Sequence, residues 1–329
     1  FDHTSTLQFL EEFLNKKYNK KITETNISSW RRMITGDLTN IFQPYTEDKK
    51  NGPDILPFLE RNPFIESINN ARFKKDPADF IPLSSQEIKE INQKVLQASK
   101  MPHQEPGVRP ACGLPYQLYA DGKLSADKTS LQVILKADNK IFGAKSIGAP
   151  FNVHFPVKYL KKADAANKSF EARGYSSFAV EPGDSLSENW PVDNFEQAIY
   201  HIQIHGPNGF FREMQGSKED PAIDIHCEYD LAKGFTQRAT GNLLLTITNL
   251  HNTDFEIEIK DNAYKKESIK KTLTGGKSQQ ISIDLAKSHQ WYDFSVLING
   301  KDRFERRYAG HVETGEMSFT DPFMGGVIV

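Results

Sequence analysis

Short runs that alternate apolar and polar residues dominate the chain after Met101, and turn-forming residues separate them. The runs are YQLYADG (116–122), LQVILKAD (131–138), FNVHFPV (151–157), YHIQIHG (200–206), AIDIHCEYD (222–230), NLLLTITNL (242–250), FEIEIKD (255–261), QQISIDL (279–285) and YDFSVLING (292–300). Period-two alternation marks half-buried strands, and strands at this spacing build sandwiches or barrels. The pattern therefore predicts a mainly β fold, with residues 158–177 as the one stretch in this region that can hold a helix.

Two segments of the region repeat one pattern: YHIQIHGPNGFFREMQG (200–216) and YDFSVLINGKDRFERRYAG (292–310). Each has an alternating strand, a turn, then Phe, one residue, Arg, three residues and Gly. The matched positions are Phe210 with Phe304, Arg212 with Arg306, and Gly216 with Gly310; upstream, residues 131–140 match 242–252, and Trp190 matches Trp291. We therefore expect two tandem immunoglobulin-like β-sandwich domains, at residues 104–217 and 218–329.

The turn of the first copy, within HGPNGFFREMQG (205–216), allows two interpretations. Its glycines on either side of Pro-Asn suit a loop that cradles phosphate, but such a loop needs a helix after it, and residues 210–216 are too short and too alternating. The second copy has a different turn, built around Asn299-Gly300. A hairpin tolerates that change because its strands keep their register, so a hairpin is favoured over an anion-binding loop.

The first hundred residues carry helical rather than strand patterns. An amphipathic helix is expected from Thr4 to about Tyr18, with Thr4 or Ser5 as its N-cap. Its apolar residues are Leu7, Leu10, Phe13 and Leu14. Residues 28–42 continue as a short helical or irregular segment, 46–62 read as a polar connection, and 84–100 predict a second helix that opens with Ser84 or Ser85 and Glu87 as a capping arrangement.

Charge and composition argue against several kinds of partner. The 41 basic and 43 acidic side chains nearly cancel and form no long block of one sign, so no nucleic acid partner is expected. No apolar run is long enough for a transmembrane helix, and the N-terminus lacks the pattern of a signal peptide. Because the chain starts at Phe1 without an initiator Met, we expect a processed product or a piece of a longer protein.

Few residues suggest chemistry. Cys112 and Cys227 are the only cysteines, so two buried free thiols are expected, with a single disulfide as the alternative in an exported protein. The nine histidines show no metal-ligand spacing, since His201 and His205 in one strand are about 13 Å apart. No nucleophile elbow or complete P-loop is present. We therefore expect neither a cofactor nor a metal site in this chain.

Arg212 and Arg306 are the residues that the repeat singles out. Each shares a strand face with aromatic residues, namely Phe210 and Met214 in the first copy and Phe304 and Tyr308 in the second. This arrangement suggests stacking, or pairing with a carboxylate, at the edge of each domain. A structural role is favoured, and paired contacts to an anionic ligand are the alternative.

Five segments together resemble the bacterial phospholipase C family that prefers phosphocholine lipids. They are FDHTSTLQFLE (1–11), SSWRRMITGDLTNIF (28–42), QEPGVRPACGLPY (104–116), GPNGFFRE (206–213) and WYDFSVLINGKDRFERRYAGHVETGEMSFTDPFMG (291–325). The third contains Arg109, a further candidate for a structural or interaction role. It departs from the family at Cys112, where the family usually has Arg.

The resemblance implies that residues 1–45 are the tail of an α/β phosphoesterase domain and residues 46–103 a connecting segment. It also implies a secreted or periplasmic parent enzyme that releases phosphocholine from phosphatidylcholine or sphingomyelin. The catalytic nucleophile and metal ligands would lie upstream, so this chain alone is expected to be inactive. Asp2 and His3 belong to a family motif but are only weak catalytic candidates, because their position before a capped helix favours a structural role.

The resemblance also implies the partners. The first is the upstream catalytic domain of the same protein, which the β-domains would support or whose substrate access they would shape. A phosphocholine lipid or a membrane surface is the second. The alternative function is an independent β-sandwich module that binds lipid, membrane or protein.

Overall fold

The computed structural model describes residues 1–42, 61–72, 82–94, 98, 106–160, 170, 172, 174–234 and 238–328. Within these ranges the fold is mainly β with helices on the N-terminal side, which confirms the predicted fold class. The helices are α1 (His3–Tyr18), α2 (Ser29–Ile34), α3 (Arg61–Arg72) and α4 (Ser85–Gln93). No helix in the described ranges is long and apolar enough to span a membrane.

The described strands fall into two groups with a short pair beside them. The first group is β2 (Leu118–Leu124), β3 (Ser130–Ala137), β4 (Ala149–His154), β5 (Tyr175–Val180), β6 (Asp184–Pro191), β7 (Ile199–His205) and β8 (Phe211–Ser217). The second is β9 (Ile223–Leu231), β10 (Ala239–Asn249), β11 (Phe255–Asp261), β12 (Ile269–Leu273), β13 (Ser278–Ile283), β14 (Trp291–Ile298) and β15 (Glu305–His311). The short pair is β1 (Pro110–Ala111) with β16 (Ser318–Phe319).

Both groups have the same strand order. A three-stranded sheet of order β2-β3-β6 belongs to the first group, and one of order β9-β10-β13 to the second. The remaining strands follow the orders β5-β4-β7-β8 and β12-β11-β14-β15. Each group therefore forms an immunoglobulin-like sandwich. Counted along the chain within each group, the fourth strand pairs with the third.

The two sandwiches share one sheet. β8 pairs antiparallel with β15, so the two four-stranded halves join edge to edge into a continuous eight-stranded sheet. This pairing removes two open strand edges that would otherwise be sites for association with other chains. It also places the two Phe-x-Arg segments side by side.

Two separate cores lie between the sheets, because inward and outward residues alternate on each strand. On β3 the inward residues Leu131, Val133 and Leu135 are fully buried, and on β10 the matching residues are Leu243, Leu245 and Ile247. The two tryptophans, by contrast, do not correspond. Trp190 lies on β6 opposite Leu131, whereas Trp291 begins β14, so matching them by residue type alone was wrong.

The helix starts depend on their caps. α1 begins earlier than expected because Asp2, not Thr4 or Ser5, is the N-cap: its carboxylate accepts the Thr4 N–H, and the Ser5 side chain accepts the Asp2 N–H. α4 begins with the predicted capping box of Ser84 and Glu87.

Three predicted stretches lie wholly or mostly outside the described residues. They are the end of the second helix near residue 100, most of the connection at 46–62, and residues 161–169 of the possible helix.

The cysteines correct one expectation. Cys227 is buried in the second core, but Cys112 is exposed directly after β1, and both are free thiols. The expectation that both thiols are buried was therefore wrong, and the alternative of a disulfide between them is contradicted as well. Burial raises the pKa of the Cys227 thiol to about 12, so that thiol is protonated and unreactive at neutral pH.

Candidate functional site

The segment 205–216 is the predicted hairpin. β7 and β8 pair antiparallel from Ile199 opposite Ser217 to His205 opposite Phe211. Asn208 and Gly209 take the left-handed conformation, with φ of 55° and 74°, which suits their residue types in a tight hairpin turn. The turn is followed by the strand β8 rather than by a helix, so an anion-binding loop is ruled out.

Arg212 extends from β8 into the second sandwich. It is 1% exposed, and its guanidinium lies 4.1 Å from the ring centre of Phe210 and 5.1 Å from that of Tyr308. It donates hydrogen bonds to the carbonyl oxygen of Ala309 at 3.0 Å and to the hydroxyl of Tyr292 at 3.1 Å. A side chain of the first sandwich thus donates hydrogen bonds to buried polar groups of the second sandwich.

Arg306 makes the reciprocal contacts from β15. It is 4% exposed, stacks at 4.4 Å on Phe304, and donates to the carbonyl oxygen of Gln215 at 2.8 Å and the hydroxyl of Tyr200 at 2.6 Å. Asp220, in the connection between the sandwiches, accepts a hydrogen bond from Tyr200 and lies 3.8 Å from Arg306. We call these reciprocal contacts of Arg212 and Arg306 the arginine junction.

The two arginines differ in their counter-charge. Among the described residues no carboxylate oxygen lies within 4.0 Å of Arg212, whereas Arg306 has Asp220. Burial raises the pKa of Tyr200 and of Tyr292, so both hydroxyls stay neutral. Arg212 is therefore a buried cation held by carbonyl oxygens, a tyrosine hydroxyl and ring faces, while Arg306 belongs to a network that includes an acid.

The junction has a local two-fold arrangement. At its centre Glu213 lies opposite Arg307, and these are matched positions of the two copies. Their side chains are on the outer face of the shared sheet, 3.8 Å apart, and Arg307 also binds Asp293 at 2.6 Å. Like charges opposite one another destabilise a strand pair. The opposite charges at this position therefore favour the pairing of β8 with β15.

The remaining candidates lie elsewhere. Arg109 is exposed, and its backbone pairs with Thr320, so it ties the entry of the first sandwich to the C-terminal tail. Asp2 caps α1 and pairs with Arg31 at 2.6 Å, and His3 is an exposed residue of the first helical turn. The structure therefore brings Arg212 and Arg306 together and leaves the other three outside the junction.

Sequence reasoning missed Glu313, a buried residue after β15. Its carboxylate accepts hydrogen bonds from the Asn208 side chain at 2.5 Å and from the Leu114 N–H at 2.9 Å. It thereby fixes the turn of the first hairpin and the entry to the first sandwich against the second sandwich. Its place in HVETGE, within a segment that resembles the phospholipases, was the available signal.

Glu313 also belongs to an arrangement that resembles a hydrolytic triad. His311 Nδ1 lies 3.0 Å from Glu313 Oε1, and His311 Nε2 lies 3.0 Å from Ser318 Oγ. Nε2 also lies 3.1 Å from the carbonyl oxygen of His289, and Ser318 Oγ lies 3.0 Å from the side-chain oxygen of Gln290. All three residues are buried, and their contacts tie the C-terminal tail to the segment before β14, so we interpret them as an anchor for the tail.

A second polar cluster joins the two smaller sheets. His226 on β9 lies 3.1 Å from Asp121 on β2 and 3.4 Å from Asp224, and Lys123 on β2 binds Asp224 at 2.7 Å. Hydrogen bonds to Asp121 and Asp224 raise the pKa of His226 to about 10. His226 is therefore a cation at neutral pH and links the two sandwiches on the side opposite the shared sheet.

The raised pKa of His226 predicts a pH dependence. Because the folded pKa lies above the ordinary value of 6.5, the stabilisation is complete below that value and disappears as pH rises through about 10. The His226 side chain is 45% exposed, so we expect solvent to limit the effect to about 1 kcal/mol. Urea denaturation of the wild type and His226→Gln at pH 6 to 10.5 should show a difference that shrinks at high pH; a constant difference would contradict the charged bridge.

A cleft of about 790 Å³ separates the helical segment from the first sandwich. Its charged lining includes Arg32, which already forms a two-pronged ion pair with Glu11 at 2.7 and 2.8 Å. No group of three or more His, Cys, Asp or Glu side chains that could hold a metal ion occurs in the described part of the chain. The cleft lies along the seam between the helical segment and the first sandwich.

Taken together, the fold and the junction define a β-sandwich region in which two units of one topology share a sheet. The sequence model of the family described as "Bacterial phospholipase C, C-terminal domain" matches residues 110–217 and again residues 223–311. The chain belongs to this family and is a C-terminal part of such a protein.

Three curated proteins that are similar to this chain are named as phospholipases C. The chain is 27% identical to a non-hemolytic phospholipase C of Pseudomonas aeruginosa, covering 99% of this chain and 41% of the relative. It is 30% identical to the hemolytic phospholipase C of that organism (98% and 42% covered) and 28% identical to a non-hemolytic phospholipase C of Burkholderia pseudomallei (98% and 40%). The chain thus spans about two fifths of the length of these relatives.

Likeness to solved structures is low. Red sea bream transglutaminase is 12% identical with a TM-score of 0.21, covering 73% of this chain and 34% of that one.

Proposed function

We propose that the chain is the non-catalytic C-terminal region of a secreted or periplasmic phospholipase C that releases phosphocholine from phosphatidylcholine or sphingomyelin. Residues 1–45 are the tail of its catalytic domain, 46–103 connect, and 104–217 and 218–329 are two copies of one β-domain. The two matches of the family model and the shared strand order support the duplication. The β-domains form one body that supports the catalytic domain.

The exposed apolar face of α1 carries this proposal. Leu7, Leu10 and Phe13 are 44%, 45% and 48% exposed, while the residues of α1 that are buried are the polar Ser5 and Gln8. The sequence predicted this apolar stripe, but it faces away from the rest of the described chain. An apolar helical stripe of this kind normally packs on another element, so we assign it to the upstream catalytic domain.

The opposite side of α1 is fixed to the β-domains. Gln8 donates a hydrogen bond to Thr35 at 2.9 Å, directly after α2, and α2 contacts β4 and β5 of the first sandwich. Met33 of α2 approaches so closely that a side chain at Gly148 would meet it and the Val180 carbonyl oxygen. An upstream domain held by α1 would therefore have a fixed orientation to the shared sheet.

The test compares the full-length protein with the isolated chain. We expect the double variant Leu10→Ser/Phe13→Ser to lower the melting temperature and turnover of the full-length enzyme, because it removes apolar area from a buried contact. In the isolated chain the same changes should be neutral within about 0.5 kcal/mol, since both side chains are exposed. Ile134→Ser, at an exposed apolar site on β3 that is 49% exposed, is the matched control.

Equal and negligible effects of the α1 variant in both proteins would contradict the proposed contact. The isolated chain should also show no turnover of a chromogenic phosphocholine ester. Co-sedimentation with phosphatidylcholine vesicles separates this proposal from the alternative, because an independent lipid-binding module would pellet with the vesicles and a supporting region would stay in the supernatant.

A further inference from the structure

Two histidines lie together on the outer face of the shared sheet. His154 on β4 and His205 on β7 are both exposed, and their ring centres are 5.3 Å apart. Tyr175 stacks beside His154 at 6.3 Å, and Phe211 lies 4.9 Å from His205. We call His154 and His205 the histidine pair; neighbouring rings restrict it on both sides.

The sheet fixes the positions of both histidines. β4 and β7 pair with Val153 opposite Ile204, and both of these side chains are fully buried. Side chains alternate along a strand, so His154 and His205 both point outward and are diagonal neighbours, two residues out of register. The pair therefore does not depend on a loop.

The separation of the rings suits a shared metal ion. With metal–nitrogen bonds of about 2.0–2.1 Å and a tetrahedral angle at the metal, two bound imidazoles have ring centres about 5.3 Å apart. The observed separation is 5.3 Å, with ring planes at 84°. Among the described residues no hydrogen bond reaches a ring nitrogen of either histidine, so the nitrogens are available to a ligand.

We propose that the histidine pair binds a late divalent transition metal, such as Cu²⁺ or Zn²⁺, with water completing the coordination. Imidazole suits these metals, and a site with two protein ligands binds Cu²⁺ more tightly than Zn²⁺. Such a site exchanges its metal, unlike a structural site with four protein ligands. The sequence does not indicate this site, because its two ligands come from different strands that are distant in sequence.

His201 provides a matched control on the same strand. It lies on β7 and shares the outer face with His205, but its Nε2 is 2.7 Å from Glu213 Oε1. Its ring is thus already engaged. A metal bound non-specifically by surface histidines would depend on His201 as much as on the pair, whereas the proposed site would not.

The experiment is calorimetric titration of the chain with Cu²⁺ and then Zn²⁺, in a Cys112→Ser background that removes the exposed thiol. We expect saturable one-to-one binding, weakened by about tenfold or more in His154→Gln and in His205→Gln and unchanged in His201→Gln. Electron paramagnetic resonance of the bound Cu²⁺ should show two nitrogen ligands, and circular dichroism should show that each variant is folded. Binding that is absent, that survives in the His154→Gln/His205→Gln double variant, or that is equally lost in His201→Gln would overturn the proposal.

Discussion

Replacing Arg306 by alanine is expected to lower the free energy of unfolding by about 3–5 kcal/mol. The change removes hydrogen bonds to the Tyr200 hydroxyl and the Gln215 carbonyl oxygen, and it leaves Asp220 buried without its cation. Asp220 is 4% exposed, so water cannot readily replace the lost partner. Removing one member of a buried charge pair is therefore far more costly than removing a surface charge.

The measurement is urea denaturation followed by tryptophan fluorescence, with Arg303→Ala as the control. Arg303 is an exposed arginine in the turn before β15, and its replacement should change stability by no more than about 0.5 kcal/mol. If Arg306→Ala were as mild as Arg303→Ala, the buried cation would not hold the sandwiches together.

Arg212→Ala adds a second comparison. Arg212 has comparable stacking and hydrogen bonds across the junction, but no carboxylate of the described residues lies within 4.0 Å of it. Its loss leaves a cavity and unpaired polar groups without leaving a charge behind. We therefore expect Arg212→Ala to be less destabilising than Arg306→Ala, although the two positions are matched in the two copies.

The sequence predicted the parts of the fold that depend on local pattern. Period-two alternation located β7 and β14 because inward and outward side chains differ along each strand. The spacing of Phe210 and Arg212 places both on one strand face, where they stack at 4.1 Å. The recurrence of that spacing singled out Arg212 and Arg306, and these residues lie on the paired strands β8 and β15.

Long-range arrangement was beyond the sequence. Nothing in the sequence indicated that β8 and β15 are edge strands that pair with one another. The arginines were therefore predicted to lie at the edges of two separate domains, whereas they lie on either side of one shared strand pairing. Likewise, the apolar stripe of α1 was predicted, but its direction depends on what packs against it. His154 and His205 became neighbours only once the pairing of β4 with β7 was known.

The glycine of the repeated motif is explained by the tyrosine opposite it. Gly216 lies opposite Tyr200, and Gly310 lies opposite Tyr292. A Cβ at Gly216 would overlap the Tyr200 hydroxyl and the Asp220 carboxylate, and one at Gly310 would lie 2.9 Å from the Tyr292 hydroxyl. The small residue lets each tyrosine reach the arginine of the other copy, so the Phe, Arg and Gly of the motif act as one unit.

Gly216→Ala is accordingly expected to cost about 2–3 kcal/mol in the free energy of unfolding, because the added methyl group overpacks a site between groups that cannot easily move. Gly300→Ala is the control: its φ of 72° imposes a backbone cost of about 1–2 kcal/mol, but a Cβ there meets nothing within 4 Å. In a double-mutant cycle, Gly216→Ala with Asp220→Ala should cost less than the sum of the single variants, since the second change removes one of the groups that the methyl meets. Additive costs would show that Gly216 does not act through Asp220 at the arginine junction.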